Sequence, residues 1–389
     1  MSVKQALVES EGRMETTDGE PFLLTPGPLT TSRRVKEAML RDWGSWDRDF
    51  NEVTADIRRR LVTMCGGDED YQCVPMQGSG TFSVEAMLAN FLPRDGRTLV
   101  LMNGTYGQRA ARTLDYLGRD YVVLDKGDYL PPKADEVDDI LSRNPAITDV
   151  FAVHCETSSG ILNPLKDISD AVHKRERRLI VDAMSSFGAI PLDVADVPFE
   201  AMVSSANKCI EGVPGFGFVI AKTSALENSK GRSHSLSLDV YDQWSYMNRT
   251  EQWRFTPPTH TVVAFREALL QHEAEGGVPG RLARYSRNRD VLVDGMRAMG
   301  FRTLLNDEWL SPIIVTFFSP ADPRFEFKRF YDEIKARGFI IYPGKLTKAE
   351  SFRIGCIGYI DEFVMRDLHE AIRNSLAAMG VTDCRPAIG

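Results

Sequence analysis

The segment that decides the fold is residues 201–217, which read AMVSSANKCIEGVPGFG. Its first five residues are small or apolar, which is typical of a strand buried on both faces of a sheet. A lone lysine, Lys208, follows this strand, and three glycines come within the next nine positions. Twenty-six residues before Lys208, the apolar run 179–181 ends in Asp182. Ligands of open α/β sheets bind beyond the carboxyl ends of the strands, where both residues are expected to lie.

A lysine and a carboxylate in this arrangement suit pyridoxal phosphate as a cofactor. The lysine forms a Schiff base with the cofactor, and the carboxylate pairs with the pyridinium nitrogen. A partly desolvated lysine also has a lowered pKa, which makes it a usable nucleophile and base. Taken singly, a lysine such as Lys208 is far more often an exposed loop residue, and Asp182 can equally be a cap of the following turn. Their combination favours the cofactor.

Strand-like and helix-like stretches alternate around this segment and predict an α/β fold. The strands are near-continuously apolar, which indicates a mostly parallel, seven-stranded sheet between helices. The predicted strands are 70–76, 98–102, 121–124, 149–154, 178–182, 201–205 and 217–221, and the predicted helices between them are 81–91, 104–117, 133–142 and 165–177.

The sequence pattern changes after a break at residues 276–280, GGVPG. Helices are predicted at 281–299, 325–337 and 361–379, and strands at 301–305, 313–318, 339–342 and 352–356. We therefore expect a frayed tail at 1–21, a large α/β domain at 22–280, and a small α+β domain at 281–389.

Composition narrows the class of protein. The 389 residues carry a net charge of −8 without a basic cluster, which argues against nucleic acid or an anionic membrane as a partner. Apolar stretches are too short to span a membrane, and the first ten residues lack the apolar core of a signal peptide, so a cytoplasmic location is expected. The six cysteines and six histidines are scattered, which predicts neither disulfides nor a metal site.

Three further motifs are candidates for ligand binding. Residues 78–81, GSGT, lie between a strand and a helix, where backbone N–H groups can hold a phosphate; a plain tight turn is the alternative. Tyr106 follows a predicted strand and can stack on a flat ring or simply fill the core. Arg353 stands in an apolar strand and needs an anion, either a ligand or an internal Asp or Glu.

Together these stretches resemble the fold-type I, pyridoxal-phosphate-dependent aminotransferases of class V. The sequence is more similar to the alanine–glyoxylate/serine–pyruvate branch than to the aspartate branch, and within it to the 2-aminoethylphosphonate–pyruvate aminotransferases. The resemblance covers about residues 22–380 and rests on residues 24–31, 42–47, 76–81, 103–109, 181–188, 204–212, 235–239 and 253–260. The stretch 247–252, MNRTEQ, departs from the glycine-rich pattern expected there.

The resemblance implies a role for each matching residue. Lys208 would form the Schiff base, Asp182 would pair with the ring nitrogen, and Tyr106 would stack on the ring. The remaining implied contacts are Ser79, Gly80, Thr81 and Asn207 with the phosphate, Thr157 with the ring hydroxyl, Thr256 with the phosphate across a dimer interface, and Arg353 and Gly27 with the substrate.

The implied reaction moves the amino group of 2-aminoethylphosphonate to pyruvate in two half-reactions, through the pyridoxamine phosphate form. The products would be phosphonoacetaldehyde and L-alanine, and the enzyme would be a homodimer with shared active sites. The alternatives are alanine–glyoxylate or serine–pyruvate transamination. A cysteine desulfurase-like lyase needs a reactive cysteine in a flexible loop, whereas Cys356 lies in a strand-like stretch.

Overall fold

The computed structural model of the chain describes residues 14, 16, 19–345 and 350–387. Most of the predicted tail, 1–21, lies outside these residues. Among the described residues, no helix combines the length and apolar character needed to cross a membrane. Nor does any group of His, Cys, Asp or Glu side chains in this part of the chain form a metal-binding cluster.

The described helices alternate with strands over most of the chain. The helices are α1 Arg33–Glu37, α2 Arg48–Met64, α3 Gly80–Phe91, α4 Thr105–Leu117, α5 Ala134–Arg143, α6 Leu165–Lys174, α7 Thr223–Asn228, α8 Val240–Thr250, α9 Thr259–Ala274, α10 Gly277–Ala298, α11 Phe327–Ala336 and α12 Glu362–Met379. Short 3-10 helices are Ala38–Leu40 and Asp307–Trp309.

The strands fall into one large sheet and several small ones. In chain order they are β1 Phe22–Leu23, β2 Tyr71–Gln77, β3 Arg97–Met102, β4 Asp120–Asp125, β5 Ile147–Val153, β6 Cys155–Glu156, β7 Ile161–Leu162, β8 Arg178–Asp182, β9 Ala201–Ser205, β10 Phe216–Lys222, β11 Ile314–Phe318, β12 Phe339–Ile340, β13 Tyr342–Pro343 and β14 Ser351–Gly355.

The large sheet has seven strands in the order β2-β10-β9-β8-β5-β3-β4. Strand β10 runs antiparallel to β2 and β9, and the other neighbours pair in parallel. Separate apolar clusters cover its two faces, which explains why the inner strands read as continuous apolar runs. The prediction of a mostly parallel seven-stranded sheet between helices is confirmed.

The carboxyl ends of the inner strands bring the candidate residues together. Asp182 ends β8 and pairs in register with Val153, the last residue of β5, and with Val203 of β9. Lys208 follows the end of β9. Parallel strands point their carboxyl ends toward one edge, and this edge therefore carries the site.

The C-terminal residues form a three-stranded sheet, β11-β14-β13, covered by α10, α11 and α12. The predicted strand 301–305 is wrong, since Thr303 makes only an isolated bridge with Phe317. Phe301 and Leu305 are buried in the hydrophobic core, so their apolar character reflects core packing and not the pairing of a β-strand. The predicted strand 339–342 is two strands, because β12 pairs with β1 whereas β13 pairs with β14.

The helices differ from the sequence prediction at two places. The predicted break at 276–280 lies in the first turn of α10, where the missing N–H of Pro279 removes no helical hydrogen bond. The predicted domain boundary at 280 therefore falls inside a helix, and the division stays a prediction. Helix α8, which the sequence pattern did not predict, begins where the Asp239 side chain accepts a hydrogen bond from Asp242 N at 2.9 Å.

Candidate active site

Lys208 occupies the loop after β9, at the centre of the candidate site. Its Nζ donates a hydrogen bond to the carbonyl oxygen of Pro26 at 2.7 Å. Burial lowers the pKa of the amine to about 8, and the positive charges of Lys345 and Arg353 act in the same direction. An amine with this pKa is partly neutral near physiological pH, as a nucleophile or base must be.

Gly27 provides the space for the Lys208 side chain. Its φ of +114° favours glycine, and a Cβ at this position would lie 2.8 Å from both Lys208 Nζ and Asn207 O. The neighbouring Thr25 hydroxyl donates to Pro28 O and accepts from Gly27 N, which fixes the turn. The structure thus places Gly27, predicted as a substrate residue, directly against the lysine.

Asp182 is 5% exposed and lies on the strand next to β9. Burial raises the pKa of its carboxyl to about 6; the nearby Glu156 also raises it, whereas Lys208 and Arg109 lower it. One carboxylate oxygen accepts a hydrogen bond from Met184 N at 2.9 Å. No donor from the described residues reaches the other oxygen, which leaves it available for a protonated ring nitrogen.

Thr157 carries a buried hydroxyl that has no hydrogen-bond partner among the described residues. Buried polar atoms are normally satisfied, and an orphan of this kind needs an explanation. Its backbone carbonyl accepts a hydrogen bond from Arg353 Nη1 at 2.9 Å. The Thr157 backbone is therefore tied to Arg353, and the polar edge of a ligand would satisfy the hydroxyl.

The start of helix α3 forms the predicted phosphate site. The first-turn N–H groups of Gly80 and Thr81 have no acceptor within the helix, as in any helix. Ser79 is the N-cap but makes no side-chain capping bond, so these N–H groups remain available to an anion. Arg109 Nη1 donates to Thr81 Oγ1 at 3.3 Å and adds positive charge. A Cβ at Gly80 would lie 2.6 Å from Met184 Sδ, so this turn approaches the Asp182 loop closely.

Tyr106 is held in place by a buried carboxylate. The fully buried Glu156 accepts from Tyr106 N at 3.0 Å and Gly107 N at 3.4 Å, at the positive end of helix α4. Its other oxygen accepts from Ser158 N and Oγ. Burial raises the pKa of this carboxyl. The sequence analysis did not identify this positioning role of Glu156.

Arg353 is 1% exposed and has no carboxylate partner among the described residues. Its Nε donates to Pro343 O at 3.0 Å and its Nη1 to Thr157 O. Burial lowers the pKa of the guanidinium. Of the two alternatives that the sequence left open, the internal ion pair is absent from the described part of the chain.

Two further cations face Tyr106 and were missed from the sequence. The guanidinium carbon of Arg109 lies 5.0 Å from the ring centroid, and Lys345 Nζ lies 5.3 Å from it. Arg109 follows Tyr106 by three helical positions, a spacing that predicts contact. Thr256 is exposed, and no contact with Ser79 or its neighbours within the described chain is seen. Its predicted role across a dimer interface stays a prediction.

The comparisons with known sequences agree on one family. The sequence pattern of the family described as Aminotransferase class-V matches residues 32–325. The chain is similar to a 2-aminoethylphosphonate–pyruvate transaminase of Rhizobium meliloti (strain 1021), with 67% identity over 95% of this chain and 96% of the relative. A second transaminase of that name, from Paraburkholderia xenovorans (strain LB400), is 63% identical over 96% of each chain.

Solved structures share the architecture. An alanine–glyoxylate aminotransferase from Nostoc sp. has a TM-score of 0.86 and 22% identity, covering 97% of this chain and 99% of that one. A pyridoxamine–pyruvate aminotransferase from Mesorhizobium loti has a TM-score of 0.84 and 22% identity, covering 93% of each chain. These likenesses confirm the predicted fold-type I architecture.

Proposed function

The chain belongs to the class-V aminotransferase family, and from that premise we propose that it transfers the amino group of 2-aminoethylphosphonate to pyruvate. The products are phosphonoacetaldehyde and L-alanine. The single observation that carries the proposal is that the buried guanidinium of Arg353 acts on Lys208 and has no carboxylate partner among the described residues. The names of the similar transaminases support the same substrate pair.

The cofactor is pyridoxal phosphate, which, when bound, supplies a protonated ring that withdraws electrons from the substrate carbon. The residues present fit it: the free oxygen of Asp182 suits the ring nitrogen, and the orphaned hydroxyl of Thr157 suits the ring hydroxyl. Tyr106 would cover one face of the ring. The first turn of α3, from Ser79 to Thr81, would hold the phosphate together with Asn207.

Lys208 has two roles in this proposal. It would hold the cofactor, and its free Nζ would accept the proton from the carbon next to the substrate nitrogen. A base works best when its pKa lies near the operating pH, and a pKa of about 8 meets that requirement. Gly27 keeps the space around Nζ open for this movement.

Arg353 would bind the anionic end of both substrates in turn. A guanidinium offers two parallel N–H groups, which match either a carboxylate or two oxygens of a phosphonate. Its hydrogen bonds to Pro343 O and Thr157 O fix the direction of the fork.

A cytoplasmic homodimer completes the proposal. Thr256 is exposed in the single chain, as the implied contact with a partner requires. Large apolar side chains are also exposed on the surface, including Leu40, Trp46, Phe82 and Phe255. Burial of such side chains against a second copy is a common reason for their exposure in one chain.

The proposed function is tested by single half-reactions of the purified holoenzyme without an acceptor. We expect 2-aminoethylphosphonate and L-alanine to discharge the cofactor absorbance rapidly, and L-serine to do so much more slowly. Faster discharge by L-serine than by 2-aminoethylphosphonate would favour serine–pyruvate transamination instead. The Lys208→Ala variant is the control, since it retains the site but lacks the amine that moves the proton.

A further inference from the structure

Lys345 stands close to Arg353 because of the hairpin that joins β13 and β14. Tyr342 pairs in register with Arg353, and Gly344 N donates to Ser351 O at 2.8 Å. A Cβ at Gly344 would lie 2.2 Å from Ser351 Oγ, so the two chain segments touch closely at this point. Lys345 therefore leaves the hairpin beside the strand that carries Arg353.

The Lys345 side chain faces the site and not an acidic partner. Its Nζ lies 5.3 Å from the centroid of the Tyr106 ring, on which Arg109 also lies. No carboxylate among the described residues forms an ion pair with it. The contact with the Tyr106 ring holds the Lys345 ammonium group beside the site, where it can meet an anion.

The charges that act on Lys345 are mostly positive. Four cations interact electrostatically here, namely Lys208, Lys345, Arg109 and Arg353, against the carboxyls of Asp182 and Glu156. Partial enclosure lowers the pKa of Lys345, and the charges of Arg353 and Arg109 lower it further. With the cofactor phosphate at the start of α3, Lys345, which follows the strand paired with the Arg353 strand, is left for the anionic group of a substrate.

We propose that Lys345 is a specificity residue that binds the phosphonate group of the amino donor and contributes little to carboxylate binding. The inference rests on the proposed function. A carboxylate has two oxygens and one charge, and the guanidinium fork of Arg353 satisfies both oxygens. A phosphonate has three oxygens and a charge near −2. Its third oxygen is left for a flexible, compact cation, which a lysine provides.

The test compares two half-reactions of the Lys345→Met holoenzyme. We expect kcat/KM for 2-aminoethylphosphonate to fall about 10- to 100-fold, as for loss of one hydrogen bond to a charged group. For L-alanine we expect a change of less than about threefold. Lys345→Arg, which keeps the charge, should recover most of the loss. Lys335→Met is the matched control, since Lys335 is an exposed lysine on α11.

A binding measurement separates recognition from catalysis. Ethylphosphonate and propanoate are unreactive probes of similar size, and calorimetry gives their dissociation constants for each holoenzyme. Lys345→Met should weaken ethylphosphonate about tenfold or more and leave propanoate unchanged. Equal losses for both probes, or no loss for ethylphosphonate, would overturn the role of Lys345 alone. If the unmodified enzyme reacts with L-alanine but not with 2-aminoethylphosphonate, the proposed function itself fails.

Discussion

Two of the buried regions that the structure describes hold arginines in opposite ways. The first, which we call the arginine cluster, consists of Glu211, Glu275, Arg281, Arg284 and Tyr285. Both of its arginines contact both of its glutamates, with Arg284 within 2.8 Å of each. The second is the active site, where the hydrogen bonds of Arg353 to described residues go to backbone carbonyls and its guanidinium lies over the Tyr342 ring.

The difference separates structural charges from functional ones. A buried charge is costly unless it is paired, and the arginine cluster pairs every charge internally. Within the described chain, the active site leaves the charge of Arg353 without a carboxylate and the Thr157 hydroxyl without a hydrogen bond, a cost that a ligand can offset. The regions also meet: Arg281 donates to Cys209 O, and Glu211 N donates to Lys208 O at 2.8 Å. The cluster therefore holds the loop that carries Lys208.

The largest expected effect comes from breaking the arginine cluster. Arg284→Met leaves Glu211 and Glu275 with fewer partners in a buried setting, and we expect the free energy of unfolding to fall by about 3–5 kcal/mol. Urea unfolding of the apoenzyme measures this loss. Arg48→Met is the control, because Arg48 forms an exposed pair with Glu52 that contributes less than about 1 kcal/mol. Equal stability of the two variants would contradict the structural role of the cluster.

Arg353→Gln should show the reverse pattern. The substitution breaks no ion pair with a described residue. The free energy of unfolding should therefore change by less than about 2 kcal/mol, the cost of leaving carbonyls unpaired. In steady-state kinetics kcat/KM should fall about 100-fold for both substrates, because a buried charge-assisted fork is lost. Arg353→Lys should retain cofactor absorbance and raise both KM values. Unchanged kinetics combined with strong destabilisation would place Arg353 among the structural arginines.

The smallest expected effect is on the titration of Lys208. Attachment of pyridoxal phosphate to the apoenzyme requires the neutral amine, so its rate should rise about tenfold between pH 7 and pH 9. The midpoint should lie near the pKa of about 8. In Arg353→Gln the midpoint should move to higher pH, because a neighbouring positive charge that disfavours protonation is gone. A midpoint near that of free lysine would contradict the burial of the amine.

The sequence predicted those features that local patterns encode. The buried strands read as apolar runs, and the residues just beyond them, such as Asp182 and Lys208, lie at one edge because parallel strands share that edge. The roles of the site residues stay predictions. The strand at 301–305 was wrong because apolar residues also serve as core anchors, and α8 was missed because its polar surface weakens the helical pattern.

Pairing between distant residues could not be predicted. Whether Arg353 has an internal partner depends on residues far away in the chain, and so does the contact of Lys345 with Tyr106. Glu156 holds the start of α4 from 50 positions away. Such contacts follow from the assembled sheet edge and the β13–β14 hairpin, and neither leaves a local pattern in the sequence.

The N-terminal segment bonds both to the strands around Arg353 and to the Lys208 amine. Residues 22–24 bond to 338–340, Leu24 O accepts from Gly355 N at 2.9 Å, and Pro26 O holds the Lys208 amine. Fewer than ten residues thus connect the sheet that carries Arg353 to the Lys208 amine. One continuous stretch of backbone therefore fixes the Lys208 amine relative to the sheet that carries Arg353.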